Sequence, residues 1–221
     1  MNIKEFFSWD RDHVLNSQVL GLDGAIDNPD ALHYVNDIVS TPYEVFLNYI
    51  KGTVELPFVL SSDVPQFSSL DSATTKLCSL MASLPNNGLC FEEIGKILQP
   101  GRTEVVGANR KYGENHIKTA VMLGLAFSKD NLYYLSAVGS VFPLLIKYQQ
   151  DQLLARMVLR NPLVFNVVHK LLIGEEVSLT NEISFLSEST VKRRKSNSLQ
   201  LCQMISLNKD IPVQGYLNQL K

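Results

Sequence analysis

The chain has 221 residues, of which 45% are hydrophobic and 19% charged, with a formal net charge of −2. This balance excludes an intrinsically disordered chain, and no apolar run approaches the roughly 18 residues that would suggest a membrane span. The small total argues against non-specific polyanion binding by the whole molecule but averages a gradient. Residues 1–65 hold three Lys/Arg against ten Asp/Glu, whereas residues 66–150 net +2 and residues 151–221 net +3, so an anionic partner is expected to meet the back two-thirds.

In chain order, the N-terminus has Asp10, Arg11, Asp12 and His13 close behind Phe6 and Phe7 and lacks the apolar core of a signal peptide. Residues 1–65 are punctuated by Gly21, Gly24, Pro29, Pro42 and Pro57, with a helix expected over 43–50 and a linker over 61–65. This acidic segment is expected to be a subdomain or an interface. Cys78, Cys90 and Cys202 are odd in number and widely scattered, which fits reduced thiols in a cytoplasmic protein.

From Ser69 the pattern becomes regular. Asp71 or Ser72 can cap a helix carrying Ala73, Leu77, Leu80, Met81 and Leu84, and Pro85 to Gly88 ends it. A short helix over 91–98 and a longer one over 109–123 follow. Strands over 125–127 and 132–135 then flank a polar turn. Three helices and a β-hairpin follow the order of a winged-helix domain, placed over residues 66–150. A second unit, 151–221, shows helices over 152–158 and 162–173, the latter with Pro162 in its first turn behind Asn161. A short helix over 178–186 and a basic one over 187–205 complete it. The remainder is too short and polar for a full second hairpin. The expected fold is mainly α with small β-hairpins, as tandem winged-helix (helix-turn-helix) domains.

The basic helix carries the most chemistry. Ser187, Glu188, Ser189 and Thr190 lead into Lys192, Arg193, Arg194 and Lys195, and Val191, Ser198, Cys202 and Ile205 form an inner stripe. Ser189, Thr190, Arg193 and Asn197 fall on the other side as candidate base readers, since Arg bonds guanine and Asn bonds adenine bidentately. Lys192, Arg194 and Lys195 are candidate phosphate contacts, which position a protein without reading sequence. In the first unit Arg102, Arg110, Lys111 and Lys118 are further phosphate candidates. There Tyr112, His116, Ala120 and Leu123 form one inner stripe, so His116 reads as a hydrogen-bonded core histidine, while Gly107 and Gly113 are expected to loosen the helix start.

The stretch from Lys111 through Glu114, Asn115 and His116 to Leu125 resembles a winged-helix segment of bacterial restriction-system proteins. The run Ser189-Thr190-Val191-Lys192-Arg193-Arg194 is similar to the start of the recognition helix in their second unit. The resemblance covers roughly residues 70–221. It implies a target-recognition region of the type found in modular type II restriction endonucleases, where a separate domain cuts.

A nuclease site is not legible. Pro29-Asp30 could begin a paired-carboxylate metal site, but Glu44 and Glu55 lack the following lysine, and Glu93 stands one residue too far from Lys96, inside a predicted helix. No phosphate-binding loop, dinucleotide fingerprint, zinc pairing or nucleophile elbow is present. The chain is expected not to be an enzyme on its own and to need no cofactor or metal. Its expected function is sequence-specific double-stranded DNA binding in the cytoplasm, within a restriction system whose cutting is supplied elsewhere, the acidic front end being read as a docking surface for a nuclease, a domain interface or a cover over the basic helix. Two alternatives are a winged-helix transcriptional regulator and a winged-helix protein–protein interaction module.

Overall fold

The computed structural model describes residues 1–8, 29–85, 87–101 and 106–208, and it is mainly helical with one two-stranded antiparallel sheet among them. The chain divides into two units. One comprises described residues 29–36 and 66–146; the other is discontinuous and draws on 1–8, 37–65 and 147–208.

In the central unit, α4 (Leu70–Ala73) and α5 (Thr75–Ala82) are separated at Thr74. The cap of α4 is Ser69, whose hydroxyl accepts from the Ser72 amide at 3.2 Å. Helix α6 (Phe91–Leu98) starts with Glu93 reaching back to the Cys90 amide at 2.8 Å. That bond holds the Glu93 carboxyl below its usual range. Helix α7 (Val106–Met122) begins three residues before the predicted start. It leads to β1 (Ala126–Lys129) and β2 (Leu132–Leu135), paired with Lys129 opposite Leu132. Asp130 (φ 52°) and Asn131 (φ 63°) both take left-handed conformations at the turn, as the tight two-residue hairpin demands.

Leu89 and Tyr133 exchange backbone hydrogen bonds at 2.9 Å, adding an antiparallel bridge to β2 just before α6. The element order is thus helix, bridge residue, helix, helix and hairpin. A further short helix, α8 (Ala137–Val141), was not legible in the sequence. Its cap Ser136 accepts from the Gly139 amide and donates to the Gly124 carbonyl at 2.6 Å.

Helix α7 crosses α6 without a side-chain cushion. A Cβ on Gly113 would stand 1.9 Å from the Phe91 carbonyl oxygen, and one on Gly95 would stand 2.0 Å from that of Asn109. Gly113 therefore permits backbone contact between the helices instead of loosening the helix start. The inner face of α7 buries His116, Ile117 and Ala120, and Leu123 just beyond its end is buried too.

The first 65 residues hold more helix than their Gly and Pro punctuation suggests. Helices α1 (Ile3–Ser8), α2 (Pro29–Ser40) and α3 (Tyr43–Lys51) all lie there. In the discontinuous unit, Phe6, Phe7, Tyr43, Phe46, Tyr49 and Phe165 form an aromatic cluster, with Phe7 stacked on Tyr49 at 4.7 Å. Helix α9 (Lys147–Met157) supplies Arg156, 2% exposed, whose guanidinium lies over the rings of Tyr43 and Phe46. It also donates to the Thr41 carbonyl and to the Gln152 side chain at 2.7 Å. Burial pushes the Tyr43 hydroxyl well above its usual range, with the Arg156 charge opposing.

Helix α10 (Pro162–Leu172) starts as its sequence dictates, with Asn161 accepting from the Val164 amide at 3.1 Å and Pro162 in the first turn. The short α11 (Leu179–Glu182) is tied to α10 by the Lys170–Glu182 ion pair at 2.6 Å. The long basic helix α12 (Glu188–Gln203) packs on α10 and α11 and passes into a 3-10 turn, Met204–Leu207.

Candidate nucleic-acid interface

Helix α12 is positioned by its apolar side. Val191, Leu201 and Cys202 are buried, and Ser198, fully buried, donates to the Arg194 carbonyl one turn back at 3.0 Å. Burial pushes the Cys202 thiol up to about 12, with the Glu182 charge adding, so this thiol is packing and not a nucleophile. Cys78 and Cys202 are buried and Cys90 half-buried, all three as free thiols.

The opposite side carries the candidate chemistry. Ser189, Lys192, Arg193 and Lys195 are exposed, and Thr190 is half-buried. Lys192 pairs with Glu188 at 2.8 Å, but both side chains are more than three-quarters exposed, so a phosphate can replace that partner. At the helix start the Ser187 hydroxyl bonds to that of Thr190 at 2.8 Å and makes no side-chain cap to a backbone amide. Ser196 and Gln200 are also exposed on this helix and extend the surface beyond the predicted set; the same helical spacing carries them.

Two of the predicted residues stand elsewhere. Asn197 is only 9% exposed, which withdraws it from any surface a groove could meet. Arg194 is half-buried, and its guanidinium donates to the carbonyls of Ser61 at 2.9 Å and Val64 at 3.1 Å. Burial and the neighbouring Arg193 charge both lower its proton affinity. Arg194 fastens α12 to the segment behind it, which leaves Lys192, Arg193 and Lys195 as the outward cations of the run.

In the central unit Arg110, Lys111 and Lys118 are exposed on α7. Glu114 pairs with Lys111 at 3.0 Å and with Lys118 at 2.6 Å, which neutralises part of that face. The bond from Lys118 and the second one from Lys111 hold the Glu114 carboxyl below its usual range against the cost of burial. Arg102 lies outside the described residues, as do Asp10, Asp12 and His13. His116 is buried and held at both ring nitrogens: Nδ1 donates to the Tyr112 carbonyl at 2.7 Å, so Nε2 accepts from the Ser68 hydroxyl at 3.2 Å. Burial, helped by the Lys76 charge, lowers its pKa despite the Tyr112 bond.

Among the described residues no group of three or more His, Cys, Asp or Glu could hold a metal ion, and no helix is long and apolar enough to cross a membrane. A cavity of about 40 Å³ between Met81, Leu84, Leu89 and Tyr134 holds little more than a water, against several hundred Å³ for a small-molecule site. The chemistry that these residues present outward is the cationic and hydroxyl-bearing face of α12. No family model, no curated protein and no solved structure matches this chain.

Proposed function

We propose that the chain binds double-stranded DNA sequence-specifically through α12, as the target-recognition component of a restriction-type system whose cutting is supplied elsewhere. The observation that carries this reading is the face of α12. Ser189, Lys192, Arg193 and Lys195 point outward, while Val191, Ser198, Leu201 and Cys202 lock the other side into the fold. A helix fixed from behind, with cations flanking one unpaired arginine, can dock on phosphates and aim that arginine at base edges.

Arg193 is the proposed base reader, with Ser189 and Thr190 beside it; Lys192 and Lys195 are the phosphate contacts. The central unit supports a winged-helix reading through its element order and the Leu89–Tyr133 bridge beside the hairpin. Its helix α7 would add phosphate contacts through Arg110, Lys111 and Lys118. The restriction setting rests on the resemblance of residues 111–125 and 189–194.

The experiment is fluorescence anisotropy on a random duplex pool across a salt series, followed by sequencing of the bound fraction. Affinity that falls steeply with salt, together with an enriched motif, supports the reading. An absence of binding at low salt overturns it and favours the protein-interaction alternative. A strictly palindromic motif at promoter-like sites favours the regulator.

A further inference from the structure

Residues 53–64 form a strap whose carbonyls are held from one side. His169, Asn166 and Asn161, on successive turns of α10 and at its cap, donate to the carbonyls of Thr53 at 3.1 Å, Pro57 at 2.9 Å and Asp63 at 3.0 Å. Arg194 takes those of Ser61 and Val64. The strap therefore runs antiparallel to α10. Among the described residues, the backbone groups of Val54, Leu56 and Phe58 have no hydrogen-bond partner.

That open edge is also apolar. Val54 is 94% exposed, Phe58 83%, Leu60 47% and Leu56 37%; Glu55 is exposed as well, while Pro57 and Val59 are half-buried. Scattered exposed apolar residues need no explanation, but beyond the bend at Val54 and Glu55 exposed Leu56, Phe58 and Leu60 alternate with half-buried Pro57 and Val59 along an unpaired segment, which is a pairing template.

We propose that the strap is a homodimerisation edge, pairing antiparallel with the same strap of a second copy about a two-fold axis at Pro57. The register is self-complementary. An axis there sets Leu56 opposite Phe58 in both directions, an apolar pair, and leaves Glu55, at the bend before it, outside the paired stretch with no charge facing a charge. Proline suits the centre. Its carbonyl already turns inward to Asn166, so an extended chain turns the amide and carbonyl of Leu56 and Phe58 outward, where two antiparallel strands exchange bonds. The missing N–H of Pro57 then falls on the inner side and costs the ladder nothing. The Leu60 amide is already held by the Asp63 carboxylate at 2.7 Å, which confines the ladder to its two Leu56–Phe58 rungs. The four exposed side chains offer on the order of 500 Å² per copy, or roughly 1,000 Å² in all, the lower bound of a specific interface.

The test is the mass of the full chain in solution by sedimentation velocity across a micromolar concentration series, without DNA, so its outcome is independent of the DNA reading. The expected result is a concentration-dependent rise from 24.8 kDa towards twice that mass. Phe58→Glu should weaken the dimer at least about tenfold with an unchanged circular dichroism spectrum, as should Val54→Glu, while Phe58→Tyr retains it. A wild-type chain that stays at 24.8 kDa throughout overturns the proposal, even if it captures some other protein, and so does a Phe58→Glu variant that dimerises as tightly as the parent.

Discussion

Gly113 lies so close to Phe91 that a Cβ there would stand 1.9 Å from the Phe91 carbonyl oxygen. Inside a helix, Gly→Ala ordinarily stabilises by about 1 kcal/mol. Here the added methyl meets backbone, which cannot rotate away, so α6 and α7 must part. Gly113→Ala should destabilise the chain by about 1–3 kcal/mol or more in urea unfolding. Gly107, at the start of the same helix, has nothing within 4 Å of its would-be Cβ, so Gly107→Ala should give a gain of up to about 1 kcal/mol. Opposite signs from one substitution type on one helix would verify the close crossing; two gains would refute it.

His116 sets a pH dependence. Its folded pKa lies below the ordinary 6.5, because burial disfavours the imidazolium. The unfolded chain therefore takes up the proton first as pH falls. The stability contributed by the neutral ring is complete above pH 6.5 and is lost as pH drops from 6.5 towards the depressed folded value. Urea midpoints should fall as pH drops below 6.5, and His116→Gln should flatten that region. Glu93 and Glu114, also depressed, act lower, below the ordinary 4.5, so the two effects separate along the pH axis. A wild-type midpoint constant down to pH 5 would rule out this account of His116.

Arg156 is buried among Tyr43, Phe46, Gln152 and the Thr41 carbonyl. Arg156→Lys keeps the charge but not the planar fork that reaches Thr41 and Gln152 together. It should cost on the order of 2–4 kcal/mol, read from thermal unfolding by circular dichroism. A loss below about 0.5 kcal/mol would mean that the charge alone suffices.

On α12 adjacent arginines should behave differently. Arg193→Ala should weaken binding to a selected DNA site by about 1–3 kcal/mol while leaving stability near that of the parent. Lys195→Ala should weaken binding to all sequences alike and reduce the salt slope by about 1. Arg194→Ala should show itself first in unfolding, because it leaves the Ser61 and Val64 carbonyls without their donor. Equal effects of all three on DNA binding would contradict the placement of Arg194.

What was legible in the sequence was local. The bounds of α6 and β2, the Asn161–Pro162 start of α10 and the inner stripe of α12 each follow from spacing and capping within a few residues. Helix α2 carried a readable signal in Ala31, Val35 and Ile38, obscured by the surrounding glycines and prolines. Asn197 shows the limit. Periodicity gives the angular position of a side chain on its own helix, which placed Asn197 beside Arg193, but not which distant segment covers that angle. The contacts that fix Arg194 span 130 residues or more, and no window along the chain contains both partners.

The discontinuous unit has a consequence for synthesis. Thr41, Asp63 and the Ser61 turn wait for donors that lie about a hundred or more residues further along, at Arg156, Asn161 and Arg194. A ribosome emits the central unit's residues 66–146 as one continuous run, so that unit can close while the chain is still being made. The aromatic cluster must stay open until Phe165 has emerged, and the strap until α10 and then Arg194 have followed. During that interval the same apolar row that faces outward in the finished protein is free on both edges, making nascent chains most prone to premature association on crowded polysomes.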